Sequence, residues 1–349
     1  MTLLWAAFIL GCAFGAAARL GRFCLLRGLR QSLGLDADEA AGRAPALQAF
    51  ALALALALLA SQALSFTGLI DLNQAAVIRP GFSVFGVVLG GMLFGVGMVL
   101  ARSCGARALV LLAGGNLRSL LTLLFLGLGV QATMTGVLAP LRQWLQSLAP
   151  VALNHASLPA QLQASGLSPM LSLALTVGLP ALLLLAYALY KPALRQSWLQ
   201  LATALLIGLL VAAGWWITAH VGVDEFEPVR LTSLSFVGPV SEALLYLQLA
   251  VGRDLSLGPA LAAGVLTGAF FTALLSRSAH WEGFDSPTQM ATTALGGLLM
   301  GFGGVLAAGC SIGQGLTGLS TLAFASFPAV FGIVLAALLS LKLQSFLKN

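Results

Sequence analysis

Charge is what this sequence has least of. Of 349 residues only 8% are charged, with 11 acidic and 17 basic side chains and three histidines. A soluble domain carries about 25% charged residues, so this chain cannot dress a water-facing surface. That shortage excludes a soluble enzyme, a nucleic-acid-binding protein and a disordered chain. No C-x-x-C pair occurs among the four cysteines, Cys12, Cys24, Cys104 and Cys310, which excludes a secreted disulfide framework and a zinc ribbon. There is no G-x-x-x-x-G-K-[ST] segment, and so no phosphate-binding loop to couple the chain to nucleotide hydrolysis. No cofactor and no metal are expected.

What is abundant is apolar mass: 59% hydrophobic residues and 40 glycines. Runs of about 20 apolar residues span a bilayer as helices. Such runs lie near 2–20, 47–66, 82–102, 117–139, 170–190, 199–219, 259–276, 289–308 and 325–345. The fold class is therefore all-α and polytopic, about nine transmembrane helices in a single integral membrane domain over 1–349. A tenth stretch, 233–250, is short and holds Pro239 and Glu242, and reads as re-entrant. The run at 47–66 is almost pure Leu and Ala and is expected to face lipid. Trp215 and Trp216 are expected in an interfacial aromatic belt. Ile9-Leu10-Gly11-Cys12 loosely resembles a lipoprotein cleavage box, but no basic segment precedes it, and Cys12 reads as an ordinary thiol in a span.

Basic residues mark the cytoplasmic side. Arg19, Arg22, Arg27, Arg30 and Arg43 follow the first run, which places the N-terminus outside. Nine spans then put Arg102, Arg107, Arg118, Lys191, Arg195, Lys342 and Lys348 inside, and Asp224, Glu225 and Glu227 outside. The C-terminus is then expected in the cytoplasm, with lipid surrounding the spans.

Two segments align without gaps: GGMLFGVGMVLARSC, from Gly90 to Cys104, and GGLLMGFGGVLAAGC, from Gly296 to Cys310, identical at nine of fifteen positions. The span count gives them opposite directions, as in an inverted repeat with halves over 1–140 and 170–349. Transporters built this way hold substrate near the repeat interface, on broken helices. Gly114 and Gly115 follow the first cysteine, and Gly309, Gly313, Gly315 and Gly318 surround the second. Each cysteine is expected where a helix ends and a loop faces the pathway. Counting back from Cys310 by the spacing of Cys24 from Cys104 reaches position 230, where Ser233 and Ser235 stand in for a thiol.

Thiols beside helix N-termini suit a soft anion that bears sulfur, since unsatisfied N–H groups hold oxyanion oxygens and a thiol offers a weak donor and a polarisable surface. Candidate pathway residues are Cys24, Cys104, Cys310, Gly309, Gly313, Gln314, Ser233, Ser235 and Arg22, with Arg27, Arg107 and Glu242 as weaker candidates. Glu242 is the only acid inside an apolar stretch, and His155, His220 and His280 fall in connections, so no proton relay is evident. A facilitated pathway, pulled by consumption of substrate inside, fits best.

The repeat motifs, the GRFC segment at Gly21–Cys24 and the stretch from Asp224 to Pro239 resemble the YeeE/YedE sulfur-transport family over nearly the whole chain. The resemblance implies an inner-membrane carrier of inverted halves, passing thiosulfate between cysteines through S–H···S hydrogen bonds. Cys24, Cys104 and Cys310 match its three cysteine motifs, and a small soluble sulfur carrier of the TusA type is implied as a cytoplasmic partner. Where the family often shows two glycines before the middle cysteine, this chain has Arg102 and Ser103. A selenium compound is an alternative substrate. A membrane thiol oxidoreductase passing electrons to quinone is the reading from another class.

Overall fold

The computed structural model describes residues 2–36, 39, 43–221, 230–284 and 286–347. The acidic group Asp224, Glu225 and Glu227, and Lys348, lie outside the described residues. Nine helical segments among the described residues are long and apolar enough to cross a membrane, close to the runs read from the sequence.

Helices α1 (Leu3–Leu20) and α2 (Leu25–Ser32) are joined by a sharp turn. Then follow α3 (Pro45–Phe66), α4 (Val84–Leu100), the short α5 (Gly105–Leu112) and α6 (Leu117–Met134). A surface excursion carries α7 (Ala139–Ser147) and α8 (Leu158–Ala164). Between them β2 (Pro150–Ala152) pairs antiparallel with β1 (Gly81–Ser83), which directly precedes α4, with Phe82 opposite Val151. One span is α9 (Pro169–Leu173) and α10 (Leu179–Tyr190), joined by a π-helical turn at Ala174–Gly178. After α11 (Pro192–Arg195) come α12 (Trp198–His220), α13 (Val237–Gln248), α14 (Leu257–Leu275) and α15 (Pro287–Leu306). A π-helical segment, Gly313–Gly318, and α16 (Ser326–Phe346) complete the chain. With twelve residues, α13 is too short to span, since about 20 are needed.

Lipid tails are as apolar as leucine, so membrane helices associate through close packing over small residues. The central crossing, α4 on α15, is made this way. A Cβ on Gly97 would lie 2.5 Å from the Gly296 carbonyl oxygen, and one on Gly303 would lie 2.5 Å from that of Gly90. Gly90 meets Ala307 while Gly97 meets Met300, so these two helices run antiparallel. Gly91 and Gly95 meet Ala329 and Ile333 of α16, and Gly297 and Gly301 meet Thr122 and Leu126 of α6, both in parallel. Gly11 and Gly15 lie on Leu261 and Val265 of α14, again in parallel.

The helix contacts map onto themselves under one exchange. Swap α1 with α12, α2 with α13, α3 with α14, α4 with α15, α5 with Gly313–Gly318, and α6 with α16. Then α1 on α14 becomes α12 on α3, α4 on α16 becomes α15 on α6, and α2 on α16 becomes α13 on α6.

Two expectations are corrected. Helix α3 does not face lipid along its length: Ala53, Ala55 and Ala57 are wholly buried, and α2, α10 and α12 pack on it. Alanine is as small as the position opposite Gly208 demands, with Ala53 and Ala57 at that crossing. Trp215 is also buried in the core, and only Trp216 is exposed as a belt residue would be.

Candidate functional site

Three helices end in the same turn. Arg22, Arg102 and Ala308 have positive φ values of 49°, 56° and 57°, and each stands two residues before a cysteine. Their N–H groups donate to the carbonyls of Arg19, Val99 and Val305 at 3.3, 3.2 and 3.2 Å. The next N–H in two of the turns reaches five residues back, Phe23 to Ala18 at 3.1 Å and Gly309 to Gly304 at 2.8 Å. This is the Schellman closure, which satisfies helix-end carbonyls with one left-handed residue. That residue is usually glycine, and here it is arginine or alanine, at a cost of about 1 kcal/mol each.

The turn reverses the chain so that the cysteine opens the next element. Cys24 and Cys104, with extended backbone, precede α2 and α5. Cys310 precedes Gly313–Gly318, and the Gly313 N–H donates to its Sγ at 3.2 Å. The N–H groups of Arg27 and Arg107 face the sulfurs of Cys24 and Cys104 in the same relation. Each sulfur therefore sits over the N–H of the third residue on, where short helices leave donors unpaired.

The exchange that relates the helices also brings the thiols together. Cys24 and Cys104 lie side by side, and the Ser311 hydroxyl lies against Cys104. Ser311 is buried, and apart from the Cys104 thiol beside it its Oγ has no hydrogen-bond partner among the described residues. Because Ser311 follows Cys310, the groups form a line: Cys310, Ser311, Cys104, Cys24. All three cysteines are free thiols, and they are only 1%, 3% and 7% exposed in the order Cys310, Cys104, Cys24. The line is closed to water in this conformation. Phe23 stacks on Phe50 with ring centroids 5.5 Å apart, Phe14 on Phe236 at 4.8 Å, and Phe50 reaches Gly315. A cavity of about 290 Å³ has Leu26, two residues on from Cys24, in its lining, with Val99, Arg30 and Arg102.

Other expected site residues fall around this line in supporting places. Gln314 donates to the carbonyls of Ala307 and Ala308 at 2.8 and 3.0 Å and accepts from Ser326 at 2.6 Å. Its amide holds the Cys310 turn, with both polar ends committed to the fold. Gly309 leaves room for that side chain, and Gly313 lets Ser235 approach, the Ser235 Oγ being 2.8 Å from where a Cβ would stand. Ser233 donates to Val211 at 2.6 Å and is turned into the α12 contact. Where the sequence spacing put a serine, the exchange of α2 for α13 puts Phe236, which caps α13 as Cys24 caps α2. Arg22 is exposed. Its backbone makes the turn. Glu242 accepts from Ser256 at 3.1 Å, between α13 and α14 and away from the thiols. Cys12 is partly buried in α1, against Gly264 and Gly268. Ser311 escaped the sequence reading, although a hydroxyl directly after a motif cysteine was there to be read.

The chain is similar to two proteins named thiosulfate transporter TsuA. The one from Escherichia coli is 27% identical over 336 residues, covering 90% of this chain and 87% of the relative. The one from Spirochaeta thermophila is 27% identical over 359 residues, covering 95% and 96%. The family profile described as sulphur transport matches residues 20–339, so the chain belongs to the sulphur-transport family.

Proposed function

We propose that this protein takes up thiosulfate across the bacterial inner membrane, handing the ion along Cys310, Ser311, Cys104 and Cys24. The observation that carries the reading is that buried line of three thiols with the Ser311 hydroxyl against Cys104. A thiol donates weakly to the terminal sulfur of thiosulfate, while the Ser311 hydroxyl and the N–H groups at the helix starts face its oxygens. No bond is made or broken in this passage. The names of the similar proteins supply the substrate.

Two inverted halves, about an axis in the membrane plane, account for the contact exchange and for α4 and α15 running antiparallel. Those packing directions also fit nine spans, and the basic residues argue for an outside N-terminus and a cytoplasmic C-terminus. A small TusA-like carrier would receive sulfur on the cytoplasmic side, near the cavity lined by Arg30 and Arg102. A selenium analogue of the substrate would fit the same thiols.

The test is uptake of labelled thiosulfate by cells lacking other routes, with Cys24→Ala, Cys104→Ala and Cys310→Ala. Loss of uptake in each is expected, and undiminished uptake in all three overturns the thiol path. The adjacency of Cys24 and Cys104 also favours one other reading, a dithiol that cycles to a disulfide and passes two electrons to a quinone. A Cys24–Cys104 disulfide that forms and is reduced during turnover, seen by mass spectrometry, would establish it instead.

A further inference from the structure

Around the Arg107 guanidinium stand the thiols of Cys24 and Cys104 and the guanidinium groups of Arg19 and Arg27. The latter two have evident work in the fold. Arg19 donates to the carbonyl oxygen and hydroxyl of Ser278 at 2.8 and 2.9 Å. Arg27 pairs with Asp36 at 3.3 Å. Arg107 differs. It lies one turn along α5 from Cys104, and its Nη1 is buried with no hydrogen-bond partner. No hydrogen bond or ion pair engages its guanidinium among the described residues, and its charged or ionisable neighbours are two thiols and two other arginines, with no carboxylate among them.

A buried cation without a counter-charge is costly, and in a membrane protein it marks an ion pathway far more often than a structural tie. The cost is relieved when an anion arrives. Guanidinium presents a planar fork matched to two oxygens of a tetrahedral oxyanion. The thiols beside it match a sulfur end. We propose that Arg107 binds the sulfonate oxygens of the dianion while its terminal sulfur lies between Cys24 and Cys104. Arg107 thereby supplies the charge selection that thiols alone lack. This rests on the thiol path proposed above.

The same chemistry could come from two fixed anions, a Cys24 thiolate or a lipid phosphate, and the experiment separates them. Purified protein is reconstituted into vesicles of neutral lipid and into vesicles with anionic lipid. Uptake of labelled thiosulfate is measured for the wild type, Arg107→Gln, Arg107→Lys and Cys24→Ala, with thermal stabilisation by thiosulfate read in parallel. Arg107→Gln should raise KM by about tenfold or more and abolish stabilisation by thiosulfate, in both lipid mixtures. Arg107→Lys keeps the charge and loses the fork, so KM should be intermediate. If Arg107→Gln does not fold, Arg107→Lys decides, and an unchanged KM overturns the proposal.

An unchanged KM in Arg107→Gln overturns it too, whether slower alkylation of Cys24 then identifies a thiolate counter-ion or a dependence on anionic lipid identifies a phosphate. If Cys24→Ala abolishes uptake while Arg107→Gln leaves KM alone, only this inference fails. If Cys24→Ala leaves uptake intact, the thiol path itself fails.

Discussion

The α4–α15 crossing holds both repeated cysteine turns, so a single added methyl there should reach the site without touching it. Consider Gly97→Ala. The new Cβ would stand 2.5 Å from the Gly296 oxygen and 2.8 Å from the Met300 nitrogen, against about 3.5 Å for ordinary contact. Both obstacles are backbone, so no rotamer change relieves the clash, and the helices must part by roughly 1 Å. Overpacking of this kind costs about 1–3 kcal/mol, and replacing a mid-helix glycine by alanine returns about 1 kcal/mol. A net loss of about 1–2 kcal/mol is expected. The larger effect is on function. Gly97 accepts from the Ala101 N–H at 2.9 Å, inside the turn that presents Cys104, and Gly90 packs on Leu306 and Ala307 ahead of Cys310. A shift of about 1 Å in a site of fixed geometry reduces rates on the order of a hundredfold. Thiosulfate uptake by Gly97→Ala should fall at least tenfold while the protein still melts cooperatively a few degrees lower. Gly178→Ala, with nothing within 4 Å of the new Cβ, is the control and should match the wild type. Wild-type uptake and melting in Gly97→Ala would refute the account of the crossing.

Gln314→Leu should strip two buried carbonyls and the Ser326 hydroxyl of their partner, costing about 2–4 kcal/mol and lowering the melting temperature. Gln314→Glu, which keeps the Ser326 bond and loses the donors, should fall between. Ala308→Gly should stabilise by about 1 kcal/mol, because the φ of 57° at Ala308 suits glycine. Ala308→Val should lower the melting temperature instead. His280 meets Glu282 at 2.6 Å in the loop that runs along Gly114–Asn116, and the carboxylate raises the imidazole pKa above its ordinary 6.5. Protonated His280 strengthens the pair, so its contribution is complete below 6.5 and is lost as pH rises through the raised value. Amide exchange over 278–284, corrected for its intrinsic pH dependence, should therefore be slower at about pH 6 than at about pH 8, and His280→Gln should remove the difference.

What the sequence discloses, it discloses through scarcity. With 8% charge, the apolar runs stand out, and the nine spans follow from run length alone. The two matching segments stand out because glycine and cysteine match where leucine would mean little. The role of glycine was harder to read. Gly90, Gly97, Gly296 and Gly303 mark the crossing, whereas the turns before Cys24, Cys104 and Cys310 are closed by Arg22, Arg102 and Ala308, which no local preference points to. Composition also failed at α3, because an Ala/Leu helix suits lipid and a tight helix contact equally, and only the partner decides between them. The same limit applies to Gln314. A buried amide beside a cysteine loop can face a ligand or hold the loop, and the choice depends on where the carbonyls of Ala307 and Ala308 end up.

Arg102 shows how these levels connect. It takes a left-handed backbone at a cost of about 1 kcal/mol, and lines a cavity together with Leu26 and Arg30. A glycine would close the turn at lower cost. A long cation there has a physical rationale only if the side chain acts outside the turn, and among the described residues the cavity lining holds no carboxylate. On the thiol path proposed above, an anion moving on from Arg107 into that cavity would meet Arg102 and Arg30, with positive charge ahead of it.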